Sequence, residues 1–154
     1  GWLEGYYFFP IRSKEKQVNG LVVRGGKSLQ EFAGIRYMTP PGQSPTLYVP
    51  SWELIAEQEE IRIVYGIIDA ITLFLLDLAV ITGSAGKSIN PELLTQFRKP
   101  IIIIPDQNED ADGLKLAGNL GWRGTVNRIS YPENSKDCND LFLQHGKQYL
   151  LSVV

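Results

Sequence analysis

"IIIIPDQNEDADG", Ile101 to Gly113, runs from four consecutive isoleucines into a knot of carboxylates and amides. A strand with one wet face alternates apolar and polar residues, whereas an unbroken apolar run suits a strand covered on both faces. The acidic side chains beyond it would repel one another unless something positive sat among them.

Working outward from this stretch, strands and helices alternate from Ser51 onward. "IRIVY" (61–65) reads as a strand, "IIDAITLFLLDL" (67–78) as a nearly all-apolar helix and "AVIT" (79–82) as a second strand. "NPELLTQF" (90–97) opens with Asn as N-cap and Pro at the first helical position, the chemistry of a helix start. "PIIIIP" (100–105) is the third strand, and "EDADGLKLAGNLG" (109–121) a helix closed by Gly121. "TVNRISY" (125–131) is the fourth strand, and "CNDLFLQHGKQYLL" (138–151) the last helix. This order predicts an α/β fold, a roughly four-stranded parallel sheet with helices on both faces. Ligands of such sheets gather beyond the carboxyl ends of the strands. Residues 1–50 differ: they are rich in Gly, Pro and aromatics, with short strands at "YYFFPI" and "VNGLVVRG" and a loop at "TPPGQSP". The expected organisation is a small β-rich unit over 1–50 and an α/β domain over 51–154.

The 154 residues carry a formal charge of -2, so no global basic field announces nucleic acid. Positive charge is local: Arg12, Lys14, Lys16, Arg24, Lys27 and Arg36 all fall in the first unit, facing an acidic partner or simply solvent. A single cysteine, Cys138, excludes a disulfide framework and a cysteine-based zinc site in this fragment, and fits a reducing cytoplasm. The longest apolar-rich stretch, Gly66 to Thr82, contains Asp69 and Asp77, which argues against a membrane span. "GWLEGYYFFPIR" has none of the parts of a signal peptide and begins abruptly, as a domain of a longer polypeptide would.

The predicted sheet brings three acidic junctions to one edge. Asp69 follows the first strand; Asp106, Asn108, Glu109 and Asp110 follow the third; Asp137, Asn139 and Asp140 follow the fourth. Converging hard oxygen ligands suit Mg²⁺, which keeps several waters and shares its site with substrate phosphates. The competing reading is local, since Asp and Asn are also the preferred N-caps and turn formers. "GSAGKS" (83–88) resembles a phosphate-binding loop, but two residues separate its first Gly from Gly-Lys where the pattern needs four. It still lies between a strand and a helix, so its backbone N–H groups could hold a phosphate or simply make a turn. His145 has no partner His and reads as an ordinary surface or core side chain. Trp2, Trp52 and Trp122 could stack on bases or pack in the core. Arg98 and Lys99 read as a solvated helix end.

Taken in order, four phrases resemble the Toprim domain of bacterial-type (DnaG-like) DNA primases and Twinkle-like primases: "VYGIIDAI" (64–71), "ITGSAG" (81–86), "PDQNEDADG" (105–113) and "SKDCND" (135–140). The family pattern is Glu-Gly then Asp-Ala, a Gly-rich turn, Asp-x-Asp, and Lys-Asp-x-Asn-Asp. Upstream, "FFPIRSKEKQVNGLVVRGG" and "IRYMTPPGQSPTLY" resemble the segment that precedes Toprim in bacterial primases. The resemblance implies a Toprim core behind a small N-terminal subdomain. Its function would be metal-dependent RNA primer synthesis on single-stranded DNA from nucleoside triphosphates, with weakly held Mg²⁺ or Mn²⁺ and a replicative helicase domain in the parent chain. By that resemblance Asp69, Asp106 and the Tyr65 position are catalytic, and Asp106, Asn108, Asp110 and Asp137 hold metal. Arg24, Arg36, Tyr37, Lys87, Lys136 and Asn139 would meet nucleic acid or nucleotide. Two departures bear on activity. Tyr65 replaces the family Glu, and a phenol of pKa near 10 is a poor hard-metal ligand at neutral pH. Asn108 stands where the second Asp is expected. The alternatives are a degenerate Toprim module that binds without catalysis, or a Toprim nuclease or topoisomerase fragment.

Overall fold

The structure is a computed structural model that describes residues 5–26, 37–84 and 88–154. It divides into two compact units, Gly1–Pro45 and Thr46–Val154. Arg36, Lys87, Lys27 and Trp2, singled out in the sequence, lie outside the described residues.

In the first unit, β1 (Tyr6–Arg12), β2 (Val18–Gly25) and β3 (Tyr37–Met38) form an antiparallel sheet in the order β1-β2-β3. The turn between β1 and β2 closes with Ser13 N–H donating to the Gln17 carbonyl at 2.8 Å, and Lys16 adopts a φ of 63°. Val22 and Ile11 are buried here, and the register sets Arg24 opposite both Tyr7 and Tyr37.

The second unit holds β4 (Leu47–Tyr48), α1 (Trp52–Glu57), β5 (Ile61–Ile63), α2 (Ile67–Phe74), β6 (Val80–Gly83), β7 (Ile101–Ile103), α3 (Asp110–Leu120), β8 (Gly124–Val126) and α4 (Cys138–Val153). The sheet order is β4-β6-β5-β7-β8; the last four strands are mutually parallel, and β4 pairs antiparallel to β6. The isoleucine run explains itself in this setting. Side chains alternate across a strand, so Ile101 and Ile103 enter one apolar cluster, with Leu116 and Leu120 of α3. Ile102 and Ile104 enter the other, with Leu73 of α2 and Leu141 and Leu150 of α4. Both faces are covered, and full burial of each such side chain is worth roughly 1.5–3 kcal/mol.

Several elements differ from expectation. Pro91–Leu94 is one short 3-10 turn rather than a helix over 90–97, although Asn90 does cap it, accepting from the Glu92 amide at 3.0 Å. The fourth strand spans Gly124–Val126 rather than 125–131, with one further backbone bond from the Asn127 amide to the Ile103 carbonyl at 2.8 Å. Helix α1, not anticipated, is capped by Ser51, whose hydroxyl accepts from the Leu54 amide at 3.2 Å. Lys99 is no solvated helix end: its ammonium donates to the Ile55, Ala56 and Gln58 carbonyls at 2.6, 2.7 and 2.5 Å. It thereby satisfies the carboxyl end of α1. Trp52 packs on Phe97, with ring centroids 6.0 Å apart, whereas Trp122 is 81% exposed. Helix α4 breaks at Gly146, whose φ is 82°. Among the described residues, no helix is long and apolar enough to cross a membrane.

Candidate functional site

The carboxyl ends of β5 and β7, with the loop from β8 to α4, bring three aspartates into electrostatic contact. Asp69, in the first turn of α2, is 6% exposed. Burial, then the charge of Asp137 and that of Asp106, raises its pKa from the usual 3.8 to about 7. Opposing these, its Oδ1 accepts the Asn139 amide at 2.9 Å, which binds α2 to the start of α4. Asn139 Oδ1 accepts from the Thr72 hydroxyl at 3.1 Å, closing a second bond between the same helices. Gly66 leaves room for this carboxylate: a Cβ there would lie 2.4 Å from Asp69 Oδ2.

Asp137 is the N-cap of α4, its Oδ1 accepting the Asp140 amide at 2.8 Å. The local and the functional readings of this residue therefore coexist, because a capping carboxylate also carries the charge that Asp69 feels. Asp106 is fixed through its neighbours. The Tyr131 hydroxyl donates to the Pro105 carbonyl at 2.8 Å, and the Gln107 amide donates to the Lys136 carbonyl at 2.7 Å. The Lys136 amide in turn donates to Asp140 Oδ2 at 3.2 Å, while its side chain is exposed.

On the α3 side of the rim, Tyr65 is 6% exposed and packs in the cluster of Ile63 and Ile103. Burial, then the charges of Asp112, Glu109 and Asp106, push its phenol further above the ordinary value of 10. It stays a neutral hydroxyl at any physiological pH. Asn108 adopts a left-handed φ of 68°, which Asn tolerates better than most residues, and is exposed. Exposed Asp110 lies 4.0 Å from Arg128. Neither Asn108 nor Asp110 is among the groups that act on Asp69.

Two neutral groups underlie the aspartates that the motifs did not reveal. Burial, then Cys138 and the charges of Asp106, Asp69 and Asp137, raise the Tyr131 phenol. Burial, then Asp69, Asp106 and Asp137, raise the Cys138 thiol well above its usual value. In the sequence Tyr131 reads only as the end of a strand, and a lone buried Cys carries no signal of its neighbours. In the N-terminal unit, the Arg24 guanidinium lies 5.4 Å from the centre of the Tyr37 ring, so these two candidates do meet.

The donor chemistry suits a hard dication, since carboxylates and an amide are oxygen donors and Asp69, raised first by burial, is raised further by the charges of Asp137 and Asp106. Among the described residues, no three His, Cys, Asp or Glu side chains form a ready-made metal cage. The arrangement fits an ion that takes one or two carboxylates and completes its shell with water and phosphate oxygens.

A mostly parallel sheet with an acidic carboxyl rim, and a small antiparallel β unit ahead of it in the chain, defines a two-unit α/β protein. Its fold is that of DnaG-type primase domains, shared with three crystal structures. The primase fragment of the bacteriophage T7 primase-helicase protein matches 97% of this chain at a TM-score of 0.72 and 22% identity. The RNA polymerase domain of Mycobacterium tuberculosis primase DnaG matches 96% at 0.73 and 20% identity. A DNA primase domain from Pseudomonas aeruginosa matches 96% at 0.67 and 18% identity. The chain spans 62%, 53% and 50% of those chains respectively. No protein family and no curated protein matches at the level of sequence.

Proposed function

We propose that this chain is the Toprim core of a DNA primase-like protein that carries out nucleotidyl transfer, joining ribonucleotides into primers on single-stranded DNA. The observation that supports it is the convergence of Asp69, Asp106 and Asp137 at the rim of a primase-type sheet. Asp106 and Asp137 would hold Mg²⁺ or Mn²⁺, with Asp69 behind them. The bound ion would neutralise charge on the transferring phosphoryl group and hold attacking and leaving oxygens in line.

The chain's own residues have narrower tasks. Asp137 both caps α4 and supplies charge at the rim. Asp69 joins α2 to α4 and, at neutral pH, is poised between its acid and its base form. Tyr65 cannot accept a proton as the family Glu would, so turnover falls below that of a site with an intact carboxylate. Arg24 and Tyr37, together with Arg36, Lys87, Lys136 and Asn139, are the proposed contacts to template or nucleotide, and a cytoplasmic replication setting fits these partners. The test is template-dependent primer synthesis from labelled ribonucleotides by the full polypeptide that carries this domain. Primers that appear with the natural sequence and vanish in Asp106→Ala support the proposal; a folded protein that makes none overturns it.

Tyr65 favours a second reading, in which the rim binds nucleotide or nucleic acid without turnover. The same assay separates the two when paired with a single-strand binding measurement.

A further inference from the structure

The loop between β8 and α4 grips the backbone on both sides of Asp106. Upstream, the peptide plane joining Pro105 to Asp106 is held by the Tyr131 hydroxyl at 2.8 Å. Downstream, the plane joining Asp106 to Gln107 is held by the Lys136 carbonyl at 2.7 Å. Both grips come from the segment that ends in Asp137. That segment is itself anchored by backbone where it leaves β8, the Asn127 amide donating to the Ile103 carbonyl at 2.8 Å; the Asn127 side chain, away from the rim, donates from Nδ2 to the Val153 carbonyl, also at 2.8 Å. Further along, the Ser135 hydroxyl donates to Gln144 Oε1 at 2.9 Å. Two fixed peptide planes determine the direction of the Cα–Cβ bond between them.

We infer that Tyr131 is a positioning residue, whose hydroxyl aims the Asp106 carboxylate toward Asp137 by holding the carbonyl that precedes it. The phenol is partly buried against the apolar cluster of α2 and α4 and remains protonated, through burial and the charges around it, so the donor is present throughout the physiological range. Its consequence for metal rests on the reading given under Proposed function; its geometry does not.

Tyr131→Phe keeps the ring and deletes the bond. The control is Asn127→Ala, which deletes a hydrogen bond of the same segment away from the rim. Each should lower the thermal midpoint by about 4 °C, the scale of one hydrogen bond in a domain of this size. Tyr131→Phe should in addition weaken Mn²⁺ binding about tenfold, the lower end for groups that orient metal ligands. It should also speed hydrogen exchange at the Gln107 amide, whose partner is set by the same grip. The control should change neither. Wild-type Mn²⁺ affinity and Gln107 protection in Tyr131→Phe, or equal losses in both variants, would overturn the inference. If the natural chain binds no Mn²⁺, the metal reading fails, and Gln107 exchange in the two variants still decides the role of Tyr131.

Discussion

The two halves of the rim meet the same problem, too many carboxylates in one place, in different ways. On the α2/α4 side the charges are kept and held by amides: Asp69 by the Asn139 N–H, Asp137 by the Asp140 N–H. Burial there, joined by the charges of Asp137 and Asp106, makes Asp69 an acid that keeps its proton to about pH 7. On the α3 side charge is thinned instead. Tyr65 sets a neutral phenol beneath Asp112, Glu109 and Asp106, and Asn108 supplies an uncharged turn. The first half persists by hydrogen bonds that need no ion, and the second sets a buried neutral side chain among its acidic neighbours. Asp106 belongs to both, since its charge acts on Asp69 and on Tyr65 alike.

The largest expected effect tests the first half. The folded chain holds the Asp69 proton to about pH 7, whereas an unfolded Asp releases it near 3.8. The contribution is fully present below pH 3.8 and is lost as pH rises through about 7, by on the order of 4 kcal/mol. Asp69→Asn should flatten this dependence and be more stable than the natural chain at pH 8, in urea unfolding without divalent cation. A variant less stable at pH 8 would show that the charge is compensated. Next, Asp106→Ala should cut primer synthesis at least ~100-fold, the scale set by losing one preorganised electrostatic group. Activity within twofold of wild type would remove Asp106 from the chemistry.

The second half is sharpened by restoring its charges. Tyr65→Glu with Asn108→Asp should tighten Mg²⁺ binding about tenfold in calorimetry, equivalent to ~1.4 kcal/mol. Unchanged binding would mean that the rim was never organised around an ion. The smallest effect separates cap from charge at Asp137. Asp137→Ala should cost ~1 kcal/mol at pH 4, whereas Asp137→Asn, an equally good cap, should cost almost nothing. Equal losses would deny the capping role.

Much of this architecture was legible because burial on both faces leaves a plain mark: 101–104 reads as a doubly covered strand, and the alternation of elements follows. The junction aspartates were legible too, because strand ends of a parallel sheet share one edge. What escaped depends on contacts between distant residues. Leu47 and Tyr48 pair with Gly83 and Thr82, and two residues carry no period. Lys99 looked like a surface cation until the end of α1, about forty residues away, supplied three carbonyls. Tyr131 seemed to continue a strand, but its hydroxyl serves the neighbouring strand's end. Asn108, a candidate ligand by resemblance, has in its left-handed backbone a turn-forming reason to be there as well.

The most direct measurement is the titration of the Asp69 carboxyl carbon by NMR, in the natural chain and in Asp106→Asn and Asp137→Asn. A midpoint near 7 that falls in each variant is expected, because charges from separate loops meet at this side chain. An ordinary midpoint near 3.8, indifferent to both substitutions, would mean that the three aspartates do not share a site.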